Sequence, residues 1–547
     1  MKNLLAILIS LIMVFSLTAC GGNNENPIGG TDTDAETVQP SGGKVISPED
    51  PDAPEDPDTS ETTAPVPLQL LIGSHFDAEY DREDAFTTLC SAEWNSLLLD
   101  EGSAATFPAL AQNLREMTEF DFEYNAGILA EMLPYAREAA EQEFFGGFTS
   151  NSSYFVQRAD DRILSIRVDE NQYTGGAHPN YGVIGWNLDP STGEALDLSD
   201  VLTSLESLPS ILTEKITEKY TYEPFSGLQE DLEGRDEGSY QWTMDYQGIT
   251  FYFSPYDIAS YAAGLLTATI WFDEMPELFV EKYTQVPENG WAKLLPIGSE
   301  IEADLDSRDR GRDKLRLFSY EDEYGSLDLY VARNDEPEQH LEECYGYTMK
   351  PLLVCLGNPG SERYYIYVEA TAENDYTSIY IYDLNGEKIT LNGEISGTGF
   401  PGVLDESWGE YGAWYEEVLN DPSEFVLDSR VQCLGTWTGQ RTYRADPQSG
   451  TLQPQTDYYT LSEPIAPSVS AIDLEVTMLP GEEKEVLPAG TRFYFRRYIP
   501  QTEELTYAEL ELEDGRECRI EITYQDWEPL INGVCEWDCF VDLMYAG

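Results

Sequence analysis

Short runs in which apolar and polar residues alternate recur along the chain and constrain its fold more than any other feature. In the runs 164–168, 249–253, 266–272 and 508–512, every second residue is apolar. An alternation with a period of two places the apolar residues on one face of a half-buried strand. The sequence therefore predicts that antiparallel β-sheets make up much of the structure.

Apolar residues at intervals of three and four predict helices in three places of the first half. The three apolar faces consist, in chain order, of Phe86, Leu89, Cys90, Trp94, Leu97 and Leu98; of Ile128, Leu129, Met132, Ala136, Ala139 and Ala140; and of Leu205, Leu208, Leu212 and Ile216. Pro134 falls inside the second set and is expected to interrupt or kink that helix. Together with the strands, these helices predict an α+β domain in which an antiparallel sheet carries helices on one face.

Acidic residues greatly outnumber basic ones. Among 547 residues there are 102 Asp and Glu but 31 Lys and Arg, so the formal net charge is −71. Such a chain repels the phosphates of nucleic acids and the anionic surface of a membrane. It attracts cationic partners, unless the charge serves only to keep the protein soluble. With 41% hydrophobic residues, the chain has ample material for cores, and its length indicates several domains.

The first twenty residues have the features of a secretory leader. Lys2 precedes an apolar run over residues 4–17, which is too short to span a membrane comfortably. The run ends in Leu-Thr-Ala-Cys at 17–20, which resembles the lipobox of bacterial lipoproteins. The resemblance implies cleavage before Cys20 and lipidation of that residue, and an ordinary secretory leader is the alternative. We expect a lipid-anchored protein on the extracellular face of the bacterial cell membrane.

Changes in composition divide the chain into five segments. After the leader, the chain is rich in Gly, Pro and acidic residues and offers little apolar surface to bury, as in a disordered tether. A mixed α and β pattern follows, and beyond residue 295 the pattern is β throughout. The predicted segments are a lipoprotein signal peptide at 1–20, a disordered acidic tether at 21–66, an α+β domain at 67–295, an all-β region at 296–470 and a small C-terminal β domain at 471–547.

The second half contains two clear hairpin patterns. Asn385-Gly386 lies between two alternating runs, which is typical of a turn between paired strands. Asp514-Gly515 lies in the same way between 508–512 and 518–522. We expect the all-β region to form a partial propeller, although no repeat is regular enough to count blades. A barrel of the SH3-like kind would suit the length of the C-terminal unit.

An aspartate-rich stretch after residue 303 resembles the calcium-binding loops of propeller repeats. Its candidate ligands are Asp304, Asp306, Asp309 and Asp313, at spacings that would let oxygen atoms surround a hard cation such as Ca2+. Arg308, however, occupies a position that such loops usually give to an acid. A turn without a cation is therefore the default expectation, and we expect no other cofactor.

Three phrases between residues 173 and 264 carry a family resemblance. They read Tyr-Thr-Gly-Gly-Ala-His-Pro at 173–179, Asn-Leu-Asp-Pro-Ser-Thr-Gly-Glu-Ala-Leu-Asp-Leu at 187–198 and Phe-Tyr-Phe-Ser-Pro-Tyr-Asp-Ile-Ala-Ser-Tyr-Ala-Ala-Gly at 251–264. In this order and spacing they resemble the domain of unknown function in the extracellular half of the anti-sigma factor RsiV. The same domain is found on the N-terminal side of the peptidoglycan deacetylase PdaC.

The resemblance implies binding rather than catalysis. In RsiV the domain binds lysozyme, and in PdaC it accompanies a cell-wall enzyme without being the catalytic part. Here a lipoprotein-like leader stands where RsiV has a transmembrane helix, and the His- and Asp-rich metal motif of the deacetylase is missing. Neither sigma-factor regulation nor deacetylation therefore carries over. The expected partners are a cationic protein such as lysozyme, or peptidoglycan fragments.

Candidate ligand-binding residues come from the first and third phrases and are Tyr173, Gly175, Gly176, His178, Tyr256, Asp257 and Tyr261. The paired glycines favour a tight turn. His178 either contacts a ligand or hydrogen-bonds to backbone and fixes the loop. Tyr256, Asp257 and Tyr261 either line a groove or pack in the core with satisfied hydroxyl groups.

Signals of catalysis are weak. The three histidines, at positions 75, 178 and 340, are scattered without the spacing of metal ligands. Neither a nucleophile elbow nor a phosphate-binding loop is present. We expect a non-catalytic binding or sensing module, with a lysozyme-type protein as its ligand. The alternatives are a cell-wall glycan-processing enzyme or its accessory subunit, and a structural adhesion protein.

Seven cysteines remain after Cys20, which is an odd number for an extracellular protein. Cys344 and Cys355 are close enough in sequence to join one hairpin, and Cys518 is a candidate partner for Cys535 or Cys539. In a reducing habitat all seven would instead be buried hydrophobic residues, which is the interpretation we favour.

Overall fold

The computed structural model describes residues 64–547 with short gaps, and the described residues form one compact unit. The gaps are 83–85, 142–144, 224, 304, 306–310, 358–359, 406–412, 463–466, 482, 503, 526–527, 542 and 546–547. The predicted signal peptide with Cys20, and the tether as far as residue 63, lie outside the described residues. In the part of the chain that is described, no helix has both the length and the apolar character needed to cross a membrane.

Strands dominate the described part of the chain, and the longer helices lie in its first half. The α-helices are α1 (Glu101–Thr106), α2 (Pro108–Ala139), α3 (Leu198–Val201), α4 (Leu208–Lys219), α5 (Leu228–Glu233), α6 (Glu281–Thr284) and α7 (Glu536–Cys539). The strands are β1 (Leu70–Tyr80), β2 (Thr88–Leu99), β3 (Phe148–Ala159), β4 (Leu164–Tyr173), β5 (Asn180–Leu188), β6 (Gln241–Met244), β7 (Gly248–Phe253), β8 (Leu266–Trp271), β9 (Trp291–Leu294), β10 (Glu300–Ala303), β11 (Asp313–Glu321), β12 (Leu327–Arg333), β13 (Gln339–Gly346), β14 (Thr348–Leu356), β15 (Arg363–Thr371), β16 (Thr377–Asp383), β17 (Thr390–Ser396), β18 (Thr398–Gly399), β19 (Gly402–Asp405), β20 (Ala413–Glu417), β21 (Phe425–Gln432), β22 (Thr436–Ala445), β23 (Leu452–Pro454), β24 (Tyr459–Leu461), β25 (Ser468–Ser470), β26 (Leu474–Leu479), β27 (Lys484–Leu487), β28 (Arg492–Thr502), β29 (Leu505–Leu512), β30 (Glu517–Gln525), β31 (Glu528–Ile531), β32 (Val534–Cys535) and β33 (Phe540–Val541).

The first sheet confirms the α+β arrangement, with one correction. Its strand order is β19-β20-β1-β2-β3-β4-β5. Neighbouring strands run antiparallel, as predicted for the sheet as a whole, except β2 and β3, which run parallel. The cause is α2, which carries the chain back along the sheet before β3 begins, as a connection between parallel strands requires. α2 packs against the sheet through Ile128, Leu129, Met132 and Ala136.

The first predicted helix is wrong, because the structure forms strand β2 there. Five of its six apolar residues lie in β2, while Phe86 precedes the strand and is exposed. Residues four positions apart share one face of a strand as well as one face of a helix, so Cys90, Trp94 and Leu98 fit both patterns. From Cys90 to Ser96 the burial of β2 alternates as in a half-buried strand, and Leu97–Leu99 at its end are buried on both faces. The alternation of Cys90, Ala92 and Trp94 with polar residues therefore indicated a strand, and the helical spacing was the weaker signal.

The second and third predicted helices are confirmed as parts of α2 and α4. Pro134 does not interrupt α2, which continues to Ala139. The predicted strands of the first region are confirmed as β4, β7 and β8. Strands β6, β7 and β8 form a separate three-stranded sheet, and α4 and α5 share a hydrophobic core with it. This second layer carries one half of the candidate site.

The remaining strands form three further sheets, in agreement with the predicted all-β region. Their orders are β10-β11-β12-β13, then β17-β16-β15-β14-β9, and a fourteen-stranded sheet that combines β18 with β21 to β33. The five-stranded sheet packs between the other two, because alternate residues of β14 enter two different cores. None of the sheets described closes on itself, so the partial propeller and the barrel-like unit are not confirmed.

Both predicted hairpins are confirmed. β16 and β17 pair on either side of Asn385-Gly386, and β29 and β30 pair on either side of Asp514-Gly515. Backbone pairing also continues across predicted segments, since β9 pairs with β14 and β1 pairs with β20. The fourteen-stranded sheet likewise contains strands from both sides of residue 470. The segment boundaries themselves stay predictions.

All seven cysteines between residues 64 and 547 carry free thiols, and all except Cys535 are buried. Neither the Cys344–Cys355 bridge nor a bridge from Cys518 is formed, so those pairings are wrong in this structure. Burial raises the pKa of Cys344 to about 12 and that of Cys539 to about 11. These thiols are protonated near neutral pH and pack as small apolar groups.

A buried acid on the sheet-facing side of α2 makes the stability of the fold depend on pH. Asp121 lies between the helix and the sheet and accepts a hydrogen bond of 2.6 Å from the hydroxyl of Tyr154 on β3. Burial is the main cause that raises the pKa of Asp121 from 3.8 to about 7; the hydrogen bond from Tyr154 opposes this increase, and the negative charge of Glu170 adds to it. Because the folded state holds the proton more tightly, the stability contributed by this carboxyl is complete below about pH 4 and is lost as the pH rises to about 7.

We therefore expect Asp121→Asn, which resembles the protonated acid at every pH, to remove this dependence. The variant should match the wild type near pH 4 and exceed it at pH 8 by up to about 4 kcal/mol, from about three pKa units at 1.36 kcal/mol each. Urea denaturation at the two pH values measures the difference. Glu119→Gln, at an exposed position of the same helix, is the control. An equal gain in stability at both pH values would contradict the assignment of the pH dependence to Asp121.

Candidate functional site

The first phrase of the sequence forms the turn between β4 and β5. Gly175 and Gly176 have φ values of +81° and +134°, which side chains disfavour. A Cβ on Gly175 would lie 3.3 Å from the ring of Phe148. The hydroxyl of Tyr173 donates to the carbonyl of Gly176 across the turn (3.2 Å). Of the predicted residues, Tyr173, Gly175 and Gly176 therefore shape an exposed turn. The side chains that follow this turn form the candidate binding surface.

Four aromatic side chains from two loops meet beside this turn. The ring of Tyr261 stacks on that of His178 with centroids 3.8 Å apart and 25° between planes. The ring centroids of Tyr181 and Tyr256 lie 5.7 and 5.5 Å from the ring centroid of Tyr261. We call His178, Tyr181, Tyr256 and Tyr261 the aromatic platform. His178 and Tyr256 are exposed and the other two are half-buried, so the platform lies at the surface and not in a core.

Direct hydrogen bonds hold the two loops of the platform together. The hydroxyl of Tyr261 donates to the carbonyl of Pro179 (2.7 Å), and the backbone N–H of Val183 donates to Ser254 Oγ (3.2 Å). His178 Nδ1 bonds to the same Pro179 carbonyl (3.1 Å). His178 thus bonds to backbone and fixes its loop while its ring stays exposed, and its contact with a ligand stays a prediction.

The backbone at Tyr256 is strained. Its φ of +72° lies in the left-handed region, which costs a residue other than glycine about 1–3 kcal/mol. The side chain nevertheless remains 65% exposed. Strained residues of this kind concentrate at binding and catalytic sites, and here the strain directs a large ring toward solvent beside Tyr261.

Asp257 forms an ion pair at the edge of the platform. Arg235 donates to both of its carboxylate oxygens, at 2.7 and 3.2 Å, and also to Asp231 at 2.9 Å. The guanidinium lies 5.6 Å from the centre of the Phe253 ring. Exposed acidic residues surround this group on the helix α5 side, namely Glu230, Asp231, Glu233 and Asp236. The platform therefore has an acidic rim.

Sequence reasoning missed two members of this surface, Tyr181 and Arg235. Tyr181 lies on β5, two residues after the first phrase. Its closeness to His178 in the sequence was the only available signal for it. Arg235 lies in none of the three phrases, and its position beside Asp257 depends on how α5 packs near β7. No sequence signal pointed to it.

The calcium candidates give a different result. Asp304, Asp306 and Asp309 lie outside the described residues. Asp313 is bonded to Arg333 (2.8 Å) and Asn334 (2.7 Å). Burial opposes its ionisation, but these hydrogen bonds outweigh burial and hold the pKa of Asp313 below its usual value. Its oxygens serve a structural ion pair, and no group of three His, Cys, Asp or Glu fit to hold a metal occurs among the residues described.

Two family models match the first region. One, described as "Protein of unknown function (DUF3298)", matches residues 199–273, and the other, described as "Deacetylase PdaC", matches residues 106–181. The chain carries a DUF3298/PdaC-like domain. The predicted resemblance is thereby confirmed. The platform of this DUF3298/PdaC-like domain combines both matched segments, since His178 and Tyr181 lie in one, and Tyr256 and Tyr261 lie in the other.

Comparison with solved structures gives two DUF3298 family proteins. One, from Bacteroides fragilis, has 20% sequence identity and a TM-score of 0.31, with 40% of this chain and 96% of the other covered. The second, from Pseudomonas aeruginosa, has 17% identity and a TM-score of 0.26, with 41% of this chain and 99% of the other covered. The assignment depends on the family models and not on these two structures. No curated protein matches the chain.

Proposed function

We propose that the chain is a lipid-anchored extracellular protein whose DUF3298/PdaC-like domain binds a cell-wall-related ligand without catalysis. A basic protein of the lysozyme type is the ligand we put first, and the aromatic platform is the surface that binds it. The exposed stack of Tyr261 on His178, with Tyr181 and Tyr256 beside it, is the observation that carries the proposal.

The composition of the surface supports a protein ligand. Tyrosine supplies large, rigid contact area and is enriched among the residues that dominate protein–protein binding. The acidic rim around Arg235 and the net charge of −71 favour association with a basic partner and speed it by electrostatic steering. The enzyme alternative has less support, because neither Asp257 nor the ring of His178 is joined to a second catalytic group in the platform.

Calorimetric titration of the mature chain with lysozyme tests the proposal. The whole chain is preferable to a 67–295 fragment, because β20 pairs with β1 and completes the first sheet. At about 0.3 M salt, where charges are screened beyond roughly 6 Å, we expect saturable one-to-one binding of lysozyme. A second basic protein of similar size and charge is the control. If lysozyme and the control protein gave equally small heats of binding, the interaction would depend on charge alone. This result would contradict the proposal.

A further inference from the structure

Two adjoining cavities form a groove outside the DUF3298/PdaC-like domain. Their volumes are about 920 and 630 Å³, and both are lined by Tyr376, Gly397, Ser429 and Arg430. The groove lies where the five-stranded and fourteen-stranded sheets meet β20. Each cavity has the size of a typical small-molecule site, so the two together suit a ligand that is longer than one ring.

Aromatic side chains line the groove along its length. Tyr376, in the shared wall, is 48% exposed, and Trp414, in the smaller cavity, is 54% exposed. Tyr459 and Tyr498 line the larger cavity, with ring centroids 6.0 Å apart. The ring of Trp414 lies directly on Gly402, where a Cβ would come within 2.2 Å of it. The backbone thus supports the ring while half of the side chain remains open to solvent.

Polar groups lie between these rings. The hydroxyls of Thr398 and Ser429 are buried and hydrogen-bonded to each other at 2.7 Å. Glu369 and Glu416 face the smaller cavity and are bridged by Lys350, at 3.3 and 2.5 Å. Carboxylates in the wall, in a chain of net charge −71, oppose an anionic polymer. Flat rings separated by hydroxyl, carboxylate and guanidinium groups match a ligand with apolar ring faces and many hydroxyl groups.

We propose that this groove binds an uncharged oligosaccharide, whose sugar rings stack on Tyr376 and Trp414 and whose hydroxyl groups bond to the polar residues between them. The site is separate from the aromatic platform and goes beyond the function proposed above. A chain with both sites would hold a protein ligand and a glycan at once.

Titration of the mature chain with the hexamer of N-acetylglucosamine tests the groove. We expect saturable binding that weakens at least about tenfold in Tyr376→Ala and in Trp414→Ala, because such exposed aromatic anchors dominate binding. Tyr324→Ala removes a tyrosine that is 79% exposed in the turn between β11 and β12, and should bind like the wild type. Tyr256→Asn, in the platform, should also leave glycan binding unchanged.

Several outcomes would overturn this proposal. They are the absence of saturable binding by the wild type, unchanged affinity in Tyr376→Ala, and equal binding of polyphosphate as a polyanionic probe. Circular dichroism of each variant checks its folding. If Trp414→Ala does not fold, Tyr376→Ala decides alone, because that side chain is half exposed and supports little of the core.

Discussion

Replacing Arg158 with methionine is expected to destabilise the protein by about 3–5 kcal/mol, the usual cost of leaving a buried charge without its partner. Arg158 is 1% exposed and forms an ion pair of 2.7 Å with Asp160, which is also buried. It donates to the carbonyls of Tyr283 and Gln285 as well. One guanidinium therefore ties β3 to the segment around α6, and methionine replaces none of these bonds.

The midpoint of urea denaturation measures this loss. Arg492→Met removes an exposed arginine whose partner is Glu513, and should change stability by less than about 0.5 kcal/mol. Adding Asp160→Asn to the Arg158 variant should recover part of the loss, because the amide removes the stranded charge and still accepts hydrogen bonds. A loss below about 1 kcal/mol in Arg158→Met would show that the pair does not hold these elements together.

Gly185→Ala is expected to have a comparable effect through crowding. A Cβ at Gly185 on β5 would lie 1.8 Å from the backbone oxygen of Trp242 on β6. The two strands would have to separate, and the 2.8 Å hydrogen bond from Asn187 to that oxygen would be lost. Overpacking and an unpaired buried group together cost about 3–5 kcal/mol. Ligand binding should fall with stability, because β5 and β7 carry the two halves of the platform.

Gly127→Ala is the matched control for this substitution. Gly127 lies in α2, and a Cβ there meets no atom within 4 Å. Alanine at such a helical position should leave stability unchanged or raise it by about 0.5–1 kcal/mol. Thermal melting of both variants separates the two effects. If Gly185→Ala had the same melting temperature as the control, this result would contradict the close approach of β5 and β6.

The strands that alternate cleanly were predictable, because one buried face leaves a period of two in the sequence. β4, β7 and the β29–β30 hairpin are examples. β2 was assigned wrongly because Cys90, Trp94 and Leu98 also fit a helical interval, although Cys90, Ala92 and Trp94 alternate with polar residues as in a half-buried strand. The parallel pairing of β2 and β3 depends on the crossover helix α2, whose first half has no strong apolar face in the sequence.

The candidate site was predictable in part for a similar reason. Phrases at 173–179 and 251–264 supplied His178, Tyr256 and Tyr261, and the structure brings these three together. Their contact depends on the packing of the three-stranded sheet beside β5, which no local pattern encodes. Tyr181 and Arg235 join the surface only through that packing, and the sequence pointed to neither.

The most direct test of the platform compares lysozyme binding by the wild type with binding by Tyr256→Asn and Tyr261→Ser. Asparagine tolerates the left-handed backbone of Tyr256, so this variant removes the exposed ring without adding strain. Tyr324→Asn is the matched control at an exposed tyrosine outside the platform. We predict at least about tenfold weaker binding by both platform variants and no change in the control. Wild-type affinity in both platform variants would contradict the assignment of this surface.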